Sequence, residues 1–135
     1  MPYKILEHTA DVRVLVQSNS IEELFSDSLK AMVKILKPNI AVNKKEAKRT
    51  VAVESPDQTA LLIDFLNEVL LAAYTHKEAY DKVIFKKFAA NSLEAVLHGS
   101  VAESFREDIK AVTYHEAEIK KDESGNWRTY LVFDV

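Results

Sequence analysis

The composition is that of an ordinary globular protein, and it excludes several classes of function. The chain has 135 residues, of which 47% are hydrophobic, and a formal net charge of -3 at pH 7. One domain spanning residues 1–135 is therefore expected, rather than a disordered chain or a strongly basic nucleic-acid-binding protein. Cysteine is absent from the sequence, which excludes disulfides, thiolate nucleophiles and sulfur-ligated metal sites.

The sequence also argues against export and membrane insertion. The first eight residues lack the apolar core of a signal peptide, and the longest apolar segment contains several polar side chains. A cytoplasmic protein without a membrane partner is expected.

Two short strands and a helix are predicted for the first forty residues. Residues 3–6 and 12–16 alternate as half-buried strands do. Ser20 and Glu23 form a capping box, in which each side chain accepts a hydrogen bond from the other's backbone N–H, so a helix is expected to begin there. Pro38 should end it, because proline cannot continue a helix.

The middle of the chain predicts a loop, a strand and the main core helix. Residues 44–49 are polar and charged, which favours a solvated loop over a basic patch, and a short strand follows at 51–53. Ser55 as the cap and Pro56 in the first turn begin the second helix, whose apolar residues recur at intervals of three and four. Three polar residues on its flank are expected to face solvent: Asp64, Asn67 and Glu68.

The remainder predicts antiparallel strands. Runs at 83–88 and 93–101 are joined by a turn at 91–92, and Gly99 indicates a bulge or a close approach of two backbones. The fold class expected from this order is α+β: a single two-layer domain with two helices packed on a largely antiparallel sheet, ending in a C-terminal β-hairpin.

The terminal hairpin sets a register. A loop centred on residues 124–125 would place His115 opposite Asp134 in the antiparallel pair. A shift of one residue would place Glu116 there instead.

Carboxylates near the chain ends suggest a cation site. Asp134 beside the C-terminal carboxylate of Val135 concentrates negative charge, so a cation or a hydrogen-bond donor is expected there. A frayed terminus is the alternative. Asp11 would add a third carboxylate if its strand pairs with the last one, and such hard oxygen ligands suit calcium, magnesium or manganese. Lys110 and His115 would lie nearby.

The segment around His8 offers a weaker signal. His8 and Asp11 flank two small residues at the entry to a strand, a frequent position for ligand-binding or catalytic groups, although an ordinary turn is the alternative. Ser-His-Asp catalysis and a phosphate-binding glycine loop are not supported, because the chain has two glycines and no Gly-x-Ser-x-Gly segment.

Five segments together carry a family resemblance. They are HTADV at 8–12, EELF at 22–25, LLIDFLNE at 61–68, KAVTYH at 110–115 and VFDV at 132–135. In this order, over nearly the whole chain, they resemble the archease family.

The resemblance implies a helper protein rather than an enzyme. Archeases assist the GTP-dependent tRNA-splicing RNA ligase: they promote its guanylylation on a histidine, allow multiple turnover and can broaden its use of nucleoside triphosphates. The ligase is therefore the implied partner, and RNA would be contacted only indirectly through it.

The resemblance also implies site residues. The metal ligands would be Asp11, Asp134 and Val135, with calcium as the expected ion. Lys110 would be a functional residue near them. Glu7 stands where the family motif often has aspartate, which leaves its role as a further ligand open.

Two other functions remain open. A metal-independent chaperone or scaffold for nucleic-acid enzymes would act without Asp11 or Asp134. A small metal-dependent phosphoesterase would use both aspartates to hold an ion that activates water, with His115 as acid or base.

Overall fold

The computed structural model describes residues 11–135, which contain two helices and eight strands. The predicted strand at 3–6 lies outside the described residues. In chain order the elements are β1 (Asp11–Ser18), α1 (Ile21–Leu36), β2 (Pro38–Ile40), β3 (Glu46–Glu54), α2 (Gln58–His76), β4 (Glu78–Phe88), β5 (Ser92–Phe105), β6 (Ala111–Thr113), β7 (Lys120–Lys121) and β8 (Trp127–Asp134).

The described strands form two antiparallel sheets. In the first sheet, β8 lies between β1 and β6, and β7 also pairs with β8. In the second, β5 pairs with β2, β3 and β4. The predicted α+β class, with two helices and antiparallel strands, is confirmed. The division into two sheets was not predicted, because alternation within a strand does not reveal its partners.

Local signals account for both ends of α1. The Ser20 Oγ accepts a hydrogen bond from the Glu23 N–H at 3.1 Å, as the capping residues predict. The helix ends at Leu36, where Lys37 adopts a left-handed conformation with φ 48°. Pro38 then begins β2.

The second helix begins later than predicted. Asp57, not Ser55, caps α2, because its Oδ1 accepts a hydrogen bond from the Ala60 N–H at 2.8 Å. The Ser55 hydroxyl donates instead to Asp64 Oδ2 at 2.6 Å. A serine and an aspartate two residues apart are both good caps, and the sequence pattern alone did not separate them.

The core joins the two helices to both sheets. Phe25 of α1 and Phe65 of α2 are fully buried, with ring centroids 5.8 Å apart. Phe85 of β4 meets Phe25 edge-to-face at 6.3 Å. Helix α1 packs against β1 and β4, and α2 packs against β3 and β6. No helix within residues 11–135 has both the length and the apolarity that a membrane crossing requires.

The loop predicted at 44–49 is wrong from Glu46 onward, because β3 begins there.

A polar cluster lies on the core side of the second sheet, and it includes Arg49 of β3. Arg49 donates through Nε and Nη2 to the two carboxylate oxygens of Glu78, at 2.8 and 3.1 Å, and the Tyr80 hydroxyl donates to the same carboxylate at 2.8 Å. The hydrogen bond from Arg49 holds the pKa of Glu78 below its usual value.

The close backbone approach predicted at Gly99 is confirmed. A Cβ placed on Gly99 would lie 1.9 Å from the Ala79 carbonyl oxygen. Glycine therefore allows β4 and β5 to approach at this point.

The C-terminal hairpin is present, but its register differs from the prediction. Strand β7 pairs with the start of β8, with Lys121 opposite Trp127. Residues 114–119 leave the sheet, and Glu116 has a left-handed φ of 60°. Three of their backbone N–H groups donate to threonine side chains instead, among them Ile119 N–H, which donates to the Thr59 Oγ1 at 3.1 Å. The alternating pattern of this segment resembles a strand but belongs to an irregular loop.

Candidate metal centre

The pairing of the first and last described strands brings two aspartates together. Asp11 at the start of β1 lies directly opposite Asp134 at the end of β8 in the antiparallel pair. Residues directly opposite each other in an antiparallel pair project to the same face, with Cβ atoms about 5 Å apart. The valines of β1 that alternate with Asp11 are turned toward the core. The two carboxylates therefore lie on the outer face of the first sheet.

Lys110 and Val135 lie beside Asp134. The backbone N–H of Lys110 donates to the Asp134 carbonyl oxygen at 2.6 Å, and the Lys110 side chain is exposed. Val135 follows Asp134 in the chain and is half-buried against the core. The structure thus places Asp11, Asp134, Val135 and Lys110 at one end of the sheet.

His115 is not opposite Asp134, so that prediction is wrong. On the β6 side of β8, Ala111 is the residue opposite Asp134, because residues 114–119 loop out of the sheet. His115 is exposed in that loop, and its backbone N–H donates to the Thr113 Oγ1 at 3.3 Å. His8 lies outside the described residues, as does Glu7.

Helix α2 holds the segment that carries Lys110. Asn67 bonds both backbone groups of Val112, and Tyr74 bonds both backbone groups of Ile109. The expectation that Asn67 faces solvent is therefore wrong. Asp64 is likewise engaged, since it accepts hydrogen bonds from Ser55 and from the Tyr114 hydroxyl; the latter bond raises the pKa of Tyr114.

A cationic side chain shares the outer face with the aspartates. Arg13 is two residues from Asp11 on the same strand, and its Nε binds Glu116 Oε2 at 2.7 Å. Its guanidinium also lies 4.1 Å from the centre of the Tyr130 ring. Arg13 is therefore already paired with a carboxylate and an aromatic face.

The donor chemistry at this end of the sheet fits a hard divalent cation. The carboxylates of Asp11 and Asp134 and the main-chain oxygen of Val135 are oxygen donors of the kind that calcium binds. No group of three or more histidine, aspartate or glutamate side chains suited to a metal ion occurs within residues 11–135. Calcium takes six to eight oxygen ligands, so these residues would supply only part of its coordination.

The sequence is similar to proteins named archease. A family model described as the Archease protein family matches residues 3–135. Protein archease of Methanosarcina mazei is 32% identical, over 98% of this chain and 95% of that protein. Protein archease of Thermoplasma volcanium is 31% identical over 100% of both chains. None of these names denotes an enzymatic activity.

Two solved structures share the fold. A crystal structure of an archease, possible chaperone, from Thermotoga maritima has a TM-score of 0.71 at 23% identity, covering 98% of this chain and 97% of that one. The solution structure of a Methanobacterium thermoautotrophicum protein has a TM-score of 0.63 at 25% identity, covering 96% of both chains. On the match of the family model over residues 3–135 and the relatives above 30% identity, the chain belongs to the archease family.

Proposed function

We propose that this protein is a cytoplasmic, non-enzymatic activator of the GTP-dependent tRNA-splicing RNA ligase. It promotes guanylylation of the ligase and its multiple turnover, and it widens the range of nucleoside triphosphates that the ligase uses. Membership of the archease family supports this choice of partner. The net charge of -3 supports contact with RNA only through the ligase.

The pairing of Asp11 with Asp134, beside Lys110, is the observation that carries the proposal. A divalent ion, when bound, would neutralise phosphate charge during nucleotidyl transfer. Asp11 and Asp134 hold carboxylate oxygens toward one face, and Val135 adds a main-chain oxygen. Calcium is the expected ion, and magnesium or manganese would suit the same oxygens.

Lys110 adds a positive group to this arrangement. Its exposed ammonium can contact a phosphate oxygen as a compact point charge, while its backbone is tied to Asp134. An anionic pair and a cationic side chain at one edge suit a ligase-bound nucleotide, whose phosphates need a metal ion and a donor at the same time.

A ligation assay tests the proposal directly. A tRNA-like substrate is supplied in large excess over the cognate ligase, with GTP and a divalent ion, with and without this protein. More than one turnover per ligase is expected only when the protein is present. Asp134→Ala should abolish most of this stimulation, whereas Glu123→Ala, an exposed carboxylate in the β7–β8 turn, should leave it unchanged.

Three outcomes would contradict the proposal. An active ligase that gains no turnovers would remove the activator role. Stimulation that survives Asp134→Ala would indicate a metal-independent chaperone or scaffold. Hydrolysis of a phosphodiester by the protein alone would indicate an enzyme.

A further inference from the structure

We propose that Asn67 and Tyr74 of α2 are positioning residues for Lys110 and Asp134. This inference rests on the proposed function, because it concerns the same site. It assigns a task to two polar residues of the core helix that contact neither of the paired aspartates.

Asn67 makes the hydrogen bonds to the backbone of β6 that a neighbouring strand would otherwise make. Strand β6 has 3 residues and pairs with β8. The Asn67 Nδ2 donates to the Val112 carbonyl oxygen at 2.9 Å, and its Oδ1 accepts from the Val112 N–H at 2.9 Å. One amide thus satisfies both backbone groups that Val112 directs toward α2, which would otherwise be left without partners near the core.

Tyr74 repeats this arrangement three residues earlier in the segment. Its hydroxyl donates to the Ile109 carbonyl oxygen and accepts from the Ile109 N–H, both at 2.8 Å. Burial raises the pKa of Tyr74 to about 12, so the hydroxyl keeps its proton at neutral pH. Ile109 itself is fully buried, which fixes the segment against the core.

Lys110 lies between these two attachments. Its own N–H donates to the Asp134 carbonyl oxygen at 2.6 Å, so the segment is bonded to α2 on one side and to β8 on the other. Asn67 and Tyr74 are about two helical turns apart and lie on the same side of α2. The buried core helix therefore sets where Lys110 stands relative to Asp134.

The test compares two leucine substitutions on adjacent helix positions. Asn67→Leu keeps the side-chain size but removes both hydrogen bonds, and Glu68→Leu places the same residue at an exposed position. The maximal ligase stimulation at saturating protein is expected to fall about tenfold in Asn67→Leu, because small displacements of a reacting group have large effects. Glu68→Leu should match the wild type. Tyr74→Phe, which keeps the ring and its packing, should act in the same direction as Asn67→Leu.

Two further measurements separate positioning from general destabilisation. Amide hydrogen exchange at Lys110, measured without ligase or metal, should become at least tenfold faster in Asn67→Leu and stay unchanged in Glu68→Leu. In a Lys110→Ala background, Asn67→Leu should cause little additional loss of stimulation, because its effect passes through Lys110.

Each contrary result overturns the inference. Wild-type stimulation by folded Asn67→Leu and Tyr74→Phe would do so, as would unchanged exchange at Lys110 or full multiplication of the losses in the double variant. The proposed function would survive these results if Lys110→Ala and Asp134→Ala still lost stimulation. Absence of stimulation by the wild type would overturn both.

Discussion

Asp11 and Asp134 face each other across the β1–β8 pair, although they stand at opposite ends of the described sequence. Two like charges directly opposite on neighbouring strands destabilise a sheet, by roughly 0.2–1 kcal/mol. The fold therefore retains an unfavourable contact that a bound cation would turn into a favourable one.

Neutralising one aspartate should stabilise the metal-free protein and weaken its binding of calcium. In EDTA, Asp134→Asn is expected to raise the free energy of unfolding by about 0.5 kcal/mol and the Tm by a few degrees, because it removes the repulsion. Calcium at about one hundred times its Kd should stabilise the wild type by about 2.7 kcal/mol and the Asp134→Asn variant far less. Thermal unfolding followed by circular dichroism, with Glu123→Gln as the control, measures both effects. A lower Tm of the variant in EDTA, or an equal response to calcium, would contradict the prediction.

Glu116 should influence the site by holding Arg13. Glu116→Gln removes the carboxylate that binds Arg13 at 2.7 Å, and the released guanidinium is then free to approach Asp11 on the same face and compete with a metal ion. Calcium binding measured by calorimetry is expected to weaken about two- to fivefold, in line with the modest strength of exposed ion pairs. Glu118→Gln, which breaks an exposed contact with Lys120, is the matched control. Equal calcium affinities for the two variants would show that Arg13 is not held away from the site.

The buried Glu78 should make stability depend on acid pH. Its pKa is lowered in the folded protein, chiefly by the hydrogen bond from Arg49, so the unfolded chain binds more protons in the acid range. This contribution to stability is fully present above the unfolded value of about 4.3 and is lost as pH falls through the lower folded value. Urea unfolding between about pH 3 and pH 7, the range in which carboxylates titrate, should show a smaller pH dependence for Glu78→Gln.

The control for Glu78 is another glutamate that bonds a basic residue. Glu94 contacts Lys87 at 3.5 Å, but both side chains are exposed, so solvent screens the pair. Glu94→Gln should keep the wild-type pH dependence. If Glu78→Gln and Glu94→Gln reduce the pH dependence of the free energy of unfolding equally, Glu78 has no special part in the acid response.

Alanine substitutions at the two glycines should lower the free energy of unfolding by very different amounts. Gly99→Ala forces a Cβ against the Ala79 carbonyl oxygen, which belongs to the backbone of β4 and cannot rotate away. A loss of about 3 kcal/mol or more is expected from such overpacking. Gly125→Ala meets no atom within 4 Å and is strained only by its φ of 85°, at a cost of about 1 kcal/mol. Denaturant midpoints measure the difference, and similar midpoints would refute it.

Sequence patterns predicted the elements better than their pairing. The capping residues of α1 and the turn before β5 depend on neighbours a few residues away, and both were found. The cap of α2 was misplaced because Ser55 and Asp57 have similar propensities. The alternation at 112–119 predicted a strand, but most of this segment is a loop. Glu116 is left-handed, and backbone N–H groups of the loop donate hydrogen bonds to threonine side chains.

The residues of the candidate site stay a prediction, and the structure confirms only part of the arrangement expected for them. Asp11, Asp134 and Lys110 were named from their motifs, and the pairing of Asp11 with Asp134 had to be assumed. The register error for His115 followed from the loop at 114–119, since residues that leave the ladder change which partners face each other. Asn67 was missed because its partner is the backbone of Val112, 45 residues away, and backbone groups leave no trace in composition.

Strand β8 is the centre of the first sheet, with β1 on one side and β6 and β7 on the other. During synthesis, β1 leaves the ribosome long before β8 does, so its only partner among the described strands is missing while the helices and the second sheet are already available. Contacts between such distant parts of a chain form slowly, and the exposed strand must meanwhile avoid pairing with other chains. A nascent chain therefore cannot present the aspartate pair before β8 has been made.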